Sequence, residues 1–170
     1  MEPGQSPAEE QMEGEPASAA APQQGSQPGK GNPQIKAEFE RGATAVGKVL
    51  YQDSAMSDKI LGMINEKEKV GSVAQAAVMT VTQIDKKLDL AERVIPALTI
   101  FTTDRVLELA TEMGIQFSDE EKKQAAMSAM ELALTGYGVP QERAAQLAQS
   151  RSPDELKAAE SVYKGVGQNV

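Results

Sequence analysis

The chain contains no cysteine, no histidine and no tryptophan, and only three phenylalanines and three tyrosines. Without cysteine there is no disulfide framework, no thiolate nucleophile and no thiolate metal site. That fits a reducing compartment. Without histidine, the usual general base at neutral pH and the commonest metal ligand both disappear. A metal site would have to be all oxygen, and a catalytic base would have to be Lys, Asp, Glu or Tyr. Aromatics make up 4 % of residues against 40 % apolar residues overall, much of it Ala and Val. Such a core suits close helix packing better than aromatic-rich strands.

Runs of one character are also missing. No basic run exceeds two residues, Lys86-Lys87 and Lys122-Lys123, and the formal net charge is −8. A general phosphate-binding or nucleic-acid-binding protein needs clustered Lys and Arg, so no such site is expected. The longest nearly uncharged apolar run, Val94 to Phe101, falls far short of the roughly 20 residues of a membrane span. The opening MEPGQSPAEE has neither a basic nor an apolar region of the kind a secretory signal needs.

What is present is helical periodicity. Val73, Ala76, Ala77, Thr80, Val81, Ile84 and Leu88 fall three and four apart, on one face of a 3.6-residue repeat. Leu90, Val94, Ala97, Leu98 and Phe101 continue the pattern, followed by Val106, Leu107, Ala110 and Met113. Charges such as Asp85, Lys86, Lys87, Glu92 and Arg93 collect between them. Two amphipathic helices result, and other helices must cover their apolar stripes. Eight methionines read chiefly as gap-fillers of such a core.

The first 33 residues are different material. They hold six of the nine prolines, five glycines, five glutamines and five glutamates, with no aromatic or β-branched residue. They cannot bury enough apolar surface to offset their ordering entropy, so a disordered arm is predicted. It reads as a solubilising arm or as a tail that orders on a partner. No two of its prolines stand three apart, so a PxxP ligand is not indicated.

From Pro33 onward the spacing predicts helices over 34–51, 55–67, 72–87, 90–113, 118–135, 140–148 and 153–164. Asp53-Ser54 supply a turn and cap, Glu66 to Lys69 a solvated helix end, and Gly71 a break. Val78-Met79-Thr80-Val81-Thr82 has β-branched strand character, but the apolar period spans four turns and no partner strand exists, so helix is preferred. Asp89 is expected to cap the fourth helix. Pro96 either sits in that helix's first turn, starting near Ile95, or kinks it. Ser118-Asp119-Glu120-Glu121 is a capping box, and Ser152-Pro153-Asp154-Glu155 repeats the logic with proline in the first turn. The expected architecture is an all-α bundle of about five to seven helices. It has a disordered arm (1–33), a helical core domain (34–135) and short Ala-rich C-terminal helices (136–170).

Motifs with chemistry are scarce. Gly42-Ala-Thr-Ala-Val-Gly47-Lys48 matches G-x-x-x-x-G-K, but Val49 stands where a P-loop needs Ser or Thr for Mg²⁺, and no strand precedes it. Coincidence is the better reading. The two interior glycines cost the helix about 1 kcal/mol each relative to Ala, tolerable where another backbone packs closely. Asp119-Glu120-Glu121 sits in a helix first turn, where the dipole favours acid, so capping suffices. Thr99, Thr102, Thr103 and Thr111 share one helix and can bond back to its carbonyls. Without a nearby base they are not nucleophiles. No catalytic, cofactor-binding or metal-binding residue is assigned, and no cofactor is expected. The candidates for partner contact are Tyr137, between two glycines, with Leu147, Leu156 and Tyr163 as apolar anchors of the last helices. For Tyr137 the competing reading is a turn tyrosine packed on the bundle.

The Gln/Pro/Glu-rich arm, the segment GSVAQAAVMTVTQ around Val70 to Val81 and the later Val94-Ile-Pro96-Ala-Leu98 together resemble small helical proteins from the structural gene blocks of tailed, particularly short-tailed, bacteriophages. The resemblance covers residues 55–135 and lies in texture rather than in one diagnostic motif. It implies a non-enzymatic virion component or assembly factor, such as an ejection, head–tail or capsid-associated protein. It also implies partners that are other virion subunits or further copies of the chain, and assembly in the host cytoplasm. It carries over no functional residue. The alternative is a cytoplasmic adaptor or export chaperone that binds one protein partner.

Overall fold

Helix α3 (Lys69–Leu88) touches every neighbour that matters: α1 (Pro33–Tyr51), α2 (Ser54–Met63), α4 (Ile95–Glu112) and α5 (Asp119–Gly136). A last helix, α6 (Gln141–Ser150), packs on α5. The structure, a computed structural model, describes residues 32–150. Nearly all of the arm expected over 1–33, the helix expected over 153–164 and the candidates Leu156 and Tyr163 lie outside the described residues. Among those residues there are six α-helices, two 3₁₀ turns and no strand. This is the all-α bundle that the apolar periodicity demands.

The α3 face read from the sequence is the face that is buried. Val73, Ala76, Ala77 and Thr80 are fully covered, and Val81 and Ile84 nearly so. On α4, Leu98 and Val106 are fully buried and Leu107 nearly so. Fully burying each such Val or Leu stabilises by about 1.5–3 kcal/mol. On α5 the covered stripe is Ala125, Ala129 and Ala133, one every four residues, which lets this helix approach closely. Met113, expected in the core, is instead 49 % exposed, because it stands at the C-cap where α4 has already ended.

Side-chain pins give the helix directions. Lys69 at the start of α3 pairs with Glu121 at the start of α5 (2.9 Å), and Tyr137 at the end of α5 donates its hydroxyl to Asp85 near the end of α3. α3 and α5 therefore run parallel, with α4 antiparallel between them in sequence. Arg41 Nη2 donates to the Leu88 carbonyl (2.7 Å) and Glu38 Oε2 accepts from the Ala91 N–H (3.0 Å). The first half of α1 thus grips the α3–α4 connection and satisfies one of the orphan carbonyls at the end of α3.

Local signals act largely as expected. Asp53 caps α2 by accepting from the Met56 N–H, and Ser118 and Glu121 form the reciprocal capping box of α5. Pro96 lies in the first turn of α4, where its missing N–H costs nothing, and the helix starts at Ile95. The β-branched run over 78–82 is helical. Thr99, Thr102, Thr103 and Thr111 each donate to the carbonyl four residues back.

Four boundaries differ from expectation. The second helix ends at Met63 rather than Lys67, because Ile64 turns extended and Asn65 caps a separate 3₁₀ turn over Glu66–Glu68. Gly71 is no break; it sits in the first turn of α3. Lys69 is not part of a solvated end, since its ammonium donates to the Gln116 carbonyl (2.7 Å), pairs with Glu121 and lies 5.3 Å from the Phe117 ring centre. Asp89 does not open the fourth helix. It closes α3 with φ 50°, and a 3₁₀ turn over Glu92–Val94 leads into α4. Aspartate tolerates that left-handed geometry better than most residues.

The glycine motif over 42–48 lies wholly inside α1. A Cβ on Gly42 would stand 2.9 Å from Leu98 Cδ2, so Leu98 packs directly against this glycine and would have to shift for any larger residue. A Cβ on Gly47 would meet nothing within 4 Å.

Candidate interaction surface

α5 and α6 form a hairpin whose turn is built by glycine. Gly138 has φ +87°, its N–H donates to the Thr135 carbonyl, and the Val139 N–H donates to that of Leu134. This paired closure is the Schellman motif, which satisfies two carbonyls that the helix end would otherwise orphan. It leaves Tyr137 at the C-cap, aimed back toward α3.

Tyr137 is packed on the bundle as a turn tyrosine and is also partly exposed. Its hydroxyl donates to Asp85 Oδ2 at 2.5 Å, while 39 % of the residue stays exposed. The other oxygen, Asp85 Oδ1, accepts from the Leu90 N–H at 3.0 Å. One carboxylate therefore holds both the α3–α4 turn and the end of α5. Burial, then the Asp85 carboxylate, push the Tyr137 hydroxyl well above the ordinary tyrosine value. The hydroxyl is thus the proton donor in a fixed hydrogen bond that ties α5 to α3.

Leu147 is 41 % exposed on α6, whose docked stripe is Ala144 and Ala148. Leu132 on α5, not singled out from the sequence, is 43 % exposed. It stands seven residues after the buried Ala125, so periodicity alone assigns it to the covered face. Tyr51 and Met113, at the ends of α1 and α4, are the other large apolar residues that stand exposed among those described. Burial and the nearby Glu108 carboxylate raise the Tyr51 hydroxyl above its ordinary value.

Beside α6 lies an open cleft of about 210 Å³ between the start of α3, α5 and α6. Val70, Met127, Ala145 and Ala148 give it an apolar lining, and Gln124 and Glu131 add polar groups. A drug-sized ligand needs ~300 Å³ or more, so the cleft is smaller than a pocket for such a ligand. Among the described residues no group of three acidic side chains stands close enough to hold a metal ion, and no helix is long and apolar enough to cross a membrane. No protein-family model, curated protein or solved structure matches the chain.

Proposed function

We propose that this protein is a non-enzymatic structural or assembly subunit of a tailed-phage virion, acting through helix-mediated contacts with other subunits or with its own copies. The observation that carries the contact role is where large apolar side chains stand exposed. Three of the five, Leu132, Tyr137 and Leu147, fall on the α5–α6 hairpin. Single exposed apolar residues need no explanation, but their concentration on one hairpin does. The hairpin is also firmly seated, by Lys69–Glu121 at one end and Asp85–Tyr137 at the other. A rigid platform presents such residues at little ordering cost on binding. The virion setting, an ejection, head–tail or capsid-associated role, rests on the resemblance of the arm and of the stretches around Val70–Val81 and Val94–Leu98.

The test is light scattering behind size exclusion on the full chain, on a chain starting at Gln34 and on a Leu132→Ser, Leu147→Ser double variant. A discrete oligomer that the double variant converts to monomer is expected. Loss of the oligomer on trimming alone would assign assembly to the arm. Monomers throughout, with capture of a single protein at one-to-one stoichiometry, would replace this reading by the adaptor or export chaperone.

A further inference from the structure

The α3–α5–α6 cleft holds a carboxylate without a counter-charge. Glu131 lines it and is only partly exposed, and among the described residues it makes no ion pair. The lining contains no cation. One turn earlier on α5, Met127 forms an apolar wall together with Val70 and Ala148. A half-covered carboxylate beside an apolar wall suits a cation carried next to an aliphatic side chain. A cavity of about 150 Å³ takes a benzene molecule, so the 210 Å³ here takes one aliphatic side chain.

The same molecule carries that pair on its surface. Of the five large apolar residues that stand exposed among those described, only Tyr51 and Leu147 follow a cation by one turn of their own helix, Lys48 and Arg143 respectively. Tyr51 is set among Arg105, Glu108 and Glu112 of α4. Arg143 is exposed and makes no ion pair among the described residues. The spacing also agrees. Met127 and Glu131 are four residues apart, as are Arg143 and Leu147, about 6 Å along either helix. The order of apolar and charged residue is reversed, so the two ridges match when the helices run antiparallel. That is the relation α6 already has to α5. Leu147 cannot fill the cleft of its own molecule. On the helical repeat, Ala145 and Gln149 fall on the cleft side of the docked Ala144–Ala148 stripe, and Arg143 and Leu147 on the other.

We propose that the α3–α5–α6 cleft receives α6 of a second copy of this chain, whose Leu147 packs against Met127 and whose Arg143 pairs with Glu131. The inference rests on the reading of the chain as a subunit that contacts its own copies, and it names that contact. Knob and cleft lie on different flanks of α6, so a copy whose knob is seated still offers an open cleft. The contact is head-to-tail. Repeated, it closes into a ring or runs on as a filament, according to the rotation between copies.

Charge reversal in the full chain is the test, read by light scattering over a concentration series. Glu131→Arg and Arg143→Glu each set like charges against one another across the contact. Each should raise the concentration of half-assembly by about tenfold or more. The double variant should assemble like the parent. So should an equal mixture of the two single variants, because every knob then meets a cleft of opposite charge. Neither residue is in the core, and helical circular dichroism confirms that each variant is folded. Parental assembly that ignores both reversals overturns the proposal, as does a loss that neither the double variant nor the mixture restores. In both cases the subunit reading stands, with its contact elsewhere. A parent chain that is monomeric throughout overturns the proposal, and with one-to-one capture of a single protein it overturns that reading as well.

Discussion

Asp85 and Tyr137 are 52 residues apart in sequence, and so are Lys69 and Glu121. The equal offset means that α3 and α5 run parallel in strict register over sixteen residues, about 24 Å of helix. One pin is a hydroxyl on a carboxylate, the other an ammonium on a carboxylate. Between them lies the alanine stripe of α5.

Tyr137→Phe keeps the ring and removes the donor to Asp85. A loss of about 0.5–1 kcal/mol is expected, discounted from a buried charge-assisted bond because the pair is partly exposed. Urea unfolding measures it. The hydroxyl is raised in the folded state above its ordinary 10.0, so its contribution is complete below pH 10 and is lost as pH rises through the folded value. The alkaline decline of stability should be shallower in Tyr137→Phe than in the parent chain.

Glu121 acts at the opposite end of the pH scale. Its hydrogen bond with the Ser118 backbone, then that with Lys69, hold its carboxyl below the ordinary 4.5. Its contribution is present above that value and is lost as pH falls through the folded one. In Glu121→Gln the acid limb of the stability profile should flatten, with little change at pH 7 beyond the lost Lys69 pair. Thermal unfolding across the acid range reads this directly.

Two glycines of α1 should answer the same substitution with opposite signs. Gly47→Ala adds a methyl into open space and should stabilise by about 0.5–1 kcal/mol. Gly42→Ala drives Cβ against the fully buried Leu98, an overpacking cost of about 1–3 kcal/mol that exceeds the same helix gain. A single denaturant series on both variants decides it.

Replacing Val81 or Leu98 by Asp places an unpaired charge where exposure is 1 % or less. Each variant should lose more than ~4 kcal/mol and melt or fail to fold. Circular dichroism on heating is enough, and a parental melting temperature in either variant would remove that residue from the core.

Thr103→Val should do the reverse. Thr103 is fully buried, and its hydroxyl donates to the Thr99 carbonyl, which in a helix already accepts the N–H of residue 103. Removing the hydroxyl orphans nothing and buries a methyl, so stability should hold or rise by up to about 1 kcal/mol. Denaturant midpoints of parent and variant give the answer.

The parts of this fold that were legible in the sequence depend on residues within one turn of each other. The capping box at Ser118, the cap at Asp53, proline in the first turn of α4 and the back-bonded threonines are all contacts of three or four residues. The apolar stripe of α3 is local in the same sense. What was not legible depends on distant partners. An aspartate at position 89 fits the start of one helix or the end of another. Its left-handed closing role goes with Arg41 and Glu38, about fifty residues earlier, which hold the turn that follows. Lys69 looked solvated because Gln116, Phe117 and Glu121 are as far away in the chain. Of the exposed apolar residues on α5 and α6, Tyr137 and Leu147 stood out in the sequence as candidates for partner contact, whereas Leu132 shares the phase of the buried alanines.

The parallel pairing of α3 with α5 also has a consequence for synthesis. Two parallel helices need a connection that runs back along their length, here α4, so α4 is made before α5. A nascent chain that has emerged only as far as Gly114 already holds all of α3 and α4, but not the helix that covers their remaining apolar flank. During that interval the most hydrophobic stretch of the protein has an open side. A chaperone, or an early encounter with another chain, would find its opening there.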